Sequence, residues 1–331
     1  MIIETRTKTM MQAAVHSRYG PPEVVQIAEM RIPSPKKGVI LIEVLASTVN
    51  RTDCGFRSAQ YFVSRFFSGL IHPKNKVLGC EFAGKVAGIG EDVEEYKIGD
   101  LVFGFDDSNF GGHAEYKVVG TDKVTSIPQG ISVLDAAALT EGSHYALCNI
   151  RAAKVKAGDQ VLVYGASGAI GSAAVQLLKH LGVFVVAVAG TAHLDLLSSL
   201  GADEIWDYQK QDLKQITHQF DFIFDAVGKL SFAQCKPMLK SKGIYISTEL
   251  GKGSQNVFLA LWTPIWSGKK VLFPLPSISK EDLIFLRDLA DQDAFVPVID
   301  RIYSLEDIVQ AYRYVETGQK VGNVLIDMRR G

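Results

Sequence analysis

The apolar positions of the chain follow two patterns. From residue 12 to about 128 they form short runs, among them 39–45, 81–87, 101–105 and 115–119, broken by Gly and Pro. Runs of this length between turn formers predict strands, so the first third reads as all-β. Gly84, Gly88, Gly90, Gly99, Gly104, Gly111 and Gly112 mark its turns. From about Gly130, strands rich in Val, Ile and Phe alternate with segments of 3.6 periodicity, which predicts a parallel sheet flanked by helices. The strands fall at 160–164, 184–188, 204–206, 222–225, 243–247 and 270–273, and the helices at 169–181, 194–200, 213–218 and 232–239. In the helix at 169–181, Ala173, Ala174, Leu177, Leu178 and Leu181 form the packing row. The tail mixes a helix (280–291), a strand (298–303), a second helix (305–316) and a final strand (322–327). Ser304, with Asp307 three residues on, is the expected N-cap of the second helix.

Composition narrows the function classes. A length of 331 residues, 47% hydrophobic and 21% charged, suits two domains. The 35 Lys+Arg against 36 Asp+Glu give a formal net charge of -1, without the basic excess of a nucleic-acid binder. No apolar run approaches the roughly 18–20 residues of a membrane-spanning helix. Cys54, Cys80, Cys148 and Cys235 lie far apart with no CxxC pair. That spacing argues against a disulfide framework and a closed structural zinc site, and suits a reducing cytoplasm. Residues 1–11 lack the features of a secretory signal, and Met10 or Met11 is a candidate start.

The strongest local signal follows the strand at 160–164. There Gly165, Ala166, Ser167, Gly168, Ala169, Ile170 and Gly171 lead into an Ala- and Leu-rich helix, and a second strand completes a βαβ unit. This is the context a dinucleotide fingerprint requires, although Ala166 stands where its first glycine is commonest. A diphosphate must reach backbone N–H groups at a helix N-terminus, and a side chain there would hold it away. Gly168 permits the approach, and Gly171 lets helix and strand pack closely. The turn after the second strand, 189–193, carries no acid to receive the ribose 2′-OH of NAD. Thr191, His193 and Tyr208 are candidate holders of a 2′-phosphate, so NADPH is favoured over NADH.

The motifs then converge. Val49-Asn50-Arg51-Thr52-Asp53, Leu78-Gly79-Cys80-Glu81-Phe82-Ala83-Gly84, Gly99-Asp100-Leu101-Val102-Phe103-Gly104 and Gly112-His113-Ala114-Glu115-Tyr116 precede the glycine fingerprint, and a tail from Pro297 to Val324 follows it. In order and spacing this resembles the medium-chain dehydrogenase/reductase superfamily. The resemblance implies an α/β fold in which a Rossmann domain (129–295) is inserted into a GroES-like β-rich catalytic domain (1–128 and 296–331). Zinc alcohol dehydrogenases of that superfamily use Cys, His and Cys as catalytic ligands. Here Asn50 and Cys80 stand at the first two positions and Thr140-Glu141-Gly142 at the third, so a soft-ligand tetrahedral site cannot assemble, and the four-cysteine structural lobe is missing. The chain is similar instead to the zinc-independent quinone oxidoreductase and enoyl reductase branch.

That branch implies catalytic roles for Asn50, Asp53 and Tyr61. Asn50 would stabilise a developing enolate or hold the nicotinamide ribose, and Tyr61 would deliver the proton that follows hydride addition. Phe62, Phe66 and Phe67 line a substrate mouth or belong to the core. Asp225 through Gly228 and Ser247 with Thr248, at strand ends, resemble nicotinamide-side contacts, and Lys320 and Asn323 fall where relatives place residues near the adenosine phosphate. The expected function is hydride transfer from NADPH to a quinone or an activated C=C in the cleft between domains. The expected partners are that small-molecule substrate and a second copy of the chain, joined at the strand after Trp262 and Trp266; neither nucleic acid nor membrane is expected. A non-catalytic NADPH-binding regulator stays open, as does a zinc-type alcohol dehydrogenase with atypical ligands such as Cys80, Glu141 and His144.

Overall fold

The structure, a computed structural model, describes residues 8–60, 65–266 and 268–330. The chain forms two compact units, one of Met1–Thr140, Ser279–Asp291 and Ile299–Gly331, the other of Glu141–Ile278 and Gln292–Val298. The sequence reading places its breaks after residues 128 and 295; the compact units instead change after Thr140 and across residues 279–298.

In chain order the first stretch contains β1 (Met10–Val15), β2 (Gln26–Arg31), β3 (Val39–Val49), α1 (Arg51–Ser58), α2 (Arg65–Ser68), β4 (Glu81–Ile89), β5 (Leu101–Phe105), β6 (Tyr116–Gly120), β7 (Val124–Ser126) and α3 (Val133–Ala137). The second unit follows with α4 (Glu141–Ala153), β8 (Gln160–Tyr164), α5 (Ala169–His180), β9 (Phe184–Ala189), α6 (Leu194–Ser199), β10 (Glu204–Asp207), β11 (Phe220–Asp225), α7 (Phe232–Cys235), β12 (Leu239–Ser247), α8 (Gln255–Trp266) and β13 (Lys270–Leu272). Then come α9 (Lys280–Asp291), β14 (Ile299–Tyr303), α10 (Ile308–Glu316) and β15 (Asn323–Asp327).

In the first unit β1 and β2 pair by themselves, and the main sheet runs β14-β15-β3-β4-β5-β7, with β6 also on β3. Alternate residues Ile40, Ile42 and Val44 of β3 turn inward against Phe82, Val86, Val102, Val119 and Val124. That alternation is what a sheet with one buried face demands. From Ala46 to Val49 every residue is buried, so β3 delivers Asn50 into the interior. The second unit is a parallel sheet of order β10-β9-β8-β11-β12-β13. Its strands β8, β9 and β11 are near-continuous apolar runs because helices cover both faces. The strand order reverses direction between β8 and β11, the switch point at which open α/β sheets place ligands.

Several elements depart from the sequence pattern. Residues 213–218 form only a 3-10 turn at Leu213–Gln215, capped by Asp212; Ile216 is already extended and His218 bonds Glu204 at 2.9 Å. The helix expected at 232–239 stops at Cys235, because Pro237 has no N–H to continue it, and Leu239 opens β12. Leu181 is the C-cap of α5 and 38% exposed, outside the packing row. Ser304 exchanges hydrogen bonds with Asp307 across a turn, and the helix begins three residues later than expected, at Ile308. Among the described residues no helix is long and apolar enough to cross a membrane.

Candidate active site

The second unit gathers a row of groups at the carboxyl ends of its strands. β8 runs out at Tyr164 into Gly165, whose φ of +77° is open to glycine, and a Cβ there would lie 2.5 Å from Val227. The N–H groups of Gly165 and Ala166 both donate to the Val188 carbonyl at 3.0 Å, pinning the turn to the end of β9. Ala166 is wholly buried, while Ser167, Gly168, Ala169 and Ile170 stay partly exposed. Gly168 is the N-cap of α5, and no side chain caps that end. The first amides of a 12-residue helix are therefore left facing outward with the positive end of its dipole. At Gly171 the spacing is decided by packing: a Cβ would sit 2.2 Å from the Gly165 carbonyl oxygen and 2.7 Å from the Ala166 Cα.

At the neighbouring strand ends Thr191, Asp225 and Ser247 are each held by hydrogen bonds within the protein. Thr191 has no donor left for a phosphate: its N–H donates to Gln209 Oε1 at 3.0 Å and its hydroxyl to Asp207 Oδ2 at 2.5 Å. Asp207 comes from β10, where it lies opposite Ala189 at the end of β9. The Thr191 hydroxyl holds the Asp207 carboxyl below its ordinary range. His193 lies in the same turn, and Tyr208, 49% exposed, tilts towards Tyr164 with ring centroids 6.0 Å apart. Asp225 is fully buried and accepts from the N–H groups of Val227, Lys229 and Leu230 and from the Tyr245 hydroxyl. These bonds build the turn that contains Gly228. Burial raises its pKa against those bonds. Ser247, also buried, donates to Asp225 at 3.5 Å.

In the first unit the chemistry centres on the start of α1. Asn50 and Asp53 form a reciprocal cap: Asn50 Oδ1 accepts from the Asp53 N–H at 3.0 Å, and Asp53 Oδ2 accepts from the Asn50 N–H at 3.1 Å. Asp53 Oδ1 accepts from the Gly79 N–H at 2.9 Å. Both Asp53 oxygens are thus engaged by backbone N–H groups, the residue has no exposed surface, and burial raises its pKa. The Asn50 amide Nδ2 donates at 3.4 Å to Cys80 Sγ and at 3.5 Å to Thr48 Oγ1. Glu81, buried beside them, accepts from the Thr48 hydroxyl at 2.6 Å and from the Thr140 hydroxyl and N–H at 2.7 and 3.0 Å.

His113 packs behind this group, its Nε2 donating to the Thr48 carbonyl at 2.7 Å and its Nδ1 3.3 Å from the Tyr312 hydroxyl. Burial pushes its pKa down to about 4. Lys117, also buried, is lowered to about 8 by desolvation and sits 3.9 Å over the Phe82 ring. A cavity of about 280 Å³ opens in the same unit, walled by Phe56, Pro73, Leu78, Phe110 and His16. Phe56 comes from α1, and its ring meets Phe110 edge-on at 4.9 Å. Tyr61 and Phe62 lie outside the described residues, as do the side chains of Phe67 and Trp266; Phe66 is 62% exposed. Among the described residues no group of three or more His, Cys, Asp or Glu is placed to hold a metal ion.

Comparison with known proteins matches two family models: an alcohol dehydrogenase GroES-like domain over residues 36–129 and a zinc-binding dehydrogenase over 200–326. The 2-methylene-furan-3-one reductase of Solanum lycopersicum is 30% identical, over 96% of this chain and 79% of its own. The chloroplastic quinone-oxidoreductase QR1 of Triphysaria versicolor is 29% identical, over 96% of this chain and 98% of its own. The solved quinone oxidoreductase of Coxiella burnetii superimposes with a TM-score of 0.87 at 29% identity, over 97% of this chain and all of that one. The chain belongs to the medium-chain dehydrogenase/reductase superfamily.

As a medium-chain dehydrogenase/reductase it is an oxidoreductase built to act with a nicotinamide coenzyme on small molecules. The GroES-like and Rossmann-like units expected from the motifs are both present. The structure brings together, at one end of the parallel sheet, the 165–171 turn, Thr191, His193, Tyr208, Asp225, Gly228 and Ser247. It places Lys320 and Asn323 in the other unit, where the Lys320 ammonium donates to the Gly322 carbonyl at 2.5 Å and Asn323 opens β15. Of the groups that sequence reasoning missed, Asp207 is one strand removed from the turn that was searched, and Thr48 carries no motif signal of its own.

Proposed function

We propose that this oxidoreductase is an NADPH-dependent, zinc-independent reductase of quinones or of C=C bonds conjugated to a carbonyl. The observation that carries the reading is the start of α5 behind Gly165, where no side chain makes a capping hydrogen bond to the helix amides. Such a terminus suits a dinucleotide diphosphate. The bound nicotinamide supplies the hydride.

The protein's share of the reaction is orientation and charge stabilisation. Because the cap fixes Asn50 Oδ1 on Asp53, the Asn50 amide hydrogens are the free edge, and their present contacts are long. A substrate oxygen gaining negative charge is a stronger acceptor than either, so Asn50 would act as the donor that stabilises it. Tyr61 remains the proposed proton donor. The cavity beside Phe56 and Phe110, about 280 Å³, is large enough for a single ring, since about 150 Å³ of apolar cavity accepts benzene.

The residues present do not fit a catalytic zinc. Asn50 offers an amide, Thr140 a hydroxyl already donating to Glu81, and only Cys80 offers sulfur. That Cys54, Cys80, Cys148 and Cys235 form no disulfide with one another supports a reducing setting such as the cytoplasm. Exposed Phe258, Leu261, Trp262 and Ile265 along one side of α8, next to the edge strand β13, support a homodimer.

The test is stopped-flow oxidation of NADPH by a panel of quinones, enones and enals, with metal analysis before and after chelation. Tyr61→Phe should lower turnover with an enone and leave NADPH affinity near normal. If no acceptor speeds oxidation, the chain is a coenzyme-binding regulator and the reading fails. If chelation removes zinc together with activity, zinc independence fails.

A further inference from the structure

We infer that Asp207, at the end of β10, sets how far this site discriminates between NADPH and NADH. The inference rests on the coenzyme reading above and concerns its adenosine end. β9 and β10 are parallel neighbours with Asp207 opposite Ala189, so the carboxylate arrives beside the turn that begins at Gly190. It is 5% exposed and well held: Oδ2 accepts from the Thr191 hydroxyl at 2.5 Å, and Oδ1 accepts from the Gln209 N–H at 2.9 Å.

The consequence falls on Thr191. Its hydroxyl proton points at Asp207 and its N–H at Gln209, so towards a ligand it presents lone pairs alone. A ribose 2′-OH can donate to such an oxygen. A 2′-phosphate cannot, and it also meets the charge of Asp207 behind it. His193, Tyr208 and Lys210, whose ammonium lies 3.8 Å from Asp207 Oδ2, work in the opposite sense by offering donors and positive charge. The site is therefore balanced, with Asp207 as the group that holds back selection for the phosphorylated coenzyme.

Asp207→Asn should tip it. An Asn keeps an oxygen for the Gln209 N–H and turns an amide donor towards Thr191, which frees the threonine proton for an incoming phosphate and releases Lys210. Titration calorimetry with NADP⁺ and NAD⁺, and with adenosine 2′,5′-bisphosphate against 5′-AMP to read the adenosine end alone, should show the affinity ratio moving towards the 2′-phosphorylated ligand by about tenfold, the scale of one like-charge contact near a surface. Thr191→Val should move it the other way, because the carboxylate loses its internal donor and becomes the acceptor for a 2′-OH. An unchanged ratio in Asp207→Asn, or a shift towards NAD⁺, overturns the inference while leaving the coenzyme reading intact. If wild type binds neither coenzyme, both fall. Should Asp207→Asn fail to fold, Thr191→Val decides: a ratio moving towards NAD⁺ supports the inference, and an unmoved one overturns it.

Discussion

Gly171→Ala is the most direct test of how the nucleotide-binding turn is built. The methyl group would stand 2.2 Å from the Gly165 carbonyl oxygen, 2.7 Å from the Ala166 Cα and 2.8 Å from the Gly165 carbonyl carbon, all of them backbone atoms. Ordinary contact needs more than an ångström beyond the first of these. No side chain can rotate away to supply it. Gly165 is tied to Val188 by its own N–H, and Ala166 is wholly buried, so the helix must lift from the strand instead. Overpacking of this kind costs about 1–3 kcal/mol. In a unit of this size each kcal/mol lowers the melting temperature by about 2–4 °C, so a fall of roughly 2–12 °C is expected. Coenzyme affinity should fall with it, since the amides of the turn move out of register.

Gly168→Ala separates the two roles. Its φ is -76°, and a Cβ there meets nothing nearer than the Gly165 carbonyl oxygen at 3.6 Å, so the fold accepts the methyl group. Melting should be close to wild type while calorimetry shows weaker coenzyme binding, because the methyl stands over the helix N-terminus. A Gly171→Ala protein with unchanged melting and unchanged affinity would refute the packing argument.

Two further predictions concern the first unit. Asn50→Ser keeps a side chain that can cap α1 through the Asp53 N–H and should melt near wild type, yet it removes the amide hydrogens and should slow the chemical step by about a hundredfold at unchanged coenzyme affinity. Wild-type turnover in Asn50→Ser would remove that donor from the mechanism. His113 is held neutral by burial, its pKa falling from 6.5 to about 4, so the unfolded chain takes up a proton first as pH drops. The stability due to its neutral form is complete above pH 6.5 and is lost as pH falls through about 4. Asp53, raised by burial, acts with the opposite sign, so the measurement is a difference: on lowering the pH from 6.5 to 4, His113→Gln should lose less melting temperature than wild type does, or gain some, because the Asp53 contribution is left uncompensated. Parallel curves would show that His113 does not couple to folding.

The second unit was legible because each local signal agreed with its neighbours. The βαβ unit around Gly165 declares its strand, turn and helix within some thirty residues, and β8 and α5 begin where the pattern places them. The elements that escaped are those whose surroundings hide their period. α4 is buried at most of its positions, including polar Glu141, Ser143, His144 and Asn149, so no polar face marks it. α8 is apolar on its exposed side and contains Pro264, a residue read as a helix breaker. In the site, Asn50 and Asp53 could be found by spacing, but their division of labour could not. Both Asp53 oxygens are taken by backbone N–H groups of residues 50 and 79, a pairing that exists only once β3 and the approach to β4 lie side by side. The same limit applied to Asp207, sixteen residues from Thr191 along the chain yet hydrogen-bonded to it.

The place of β15 gives the molecule an order of assembly. Every strand of the parallel sheet lies between residues 160 and 272 and the last segment of that unit ends at Val298, so the unit can close once residue 298 has left the ribosome. The other sheet cannot, because β15 sits between β14 and β3, with Val324 opposite Val49 and all five of its residues buried. Until residues 323–327 are synthesised, the strand that carries Asn50 has a bare edge. During translation the parallel-sheet unit would therefore exist as a folded body while the other is still waiting for its keystone.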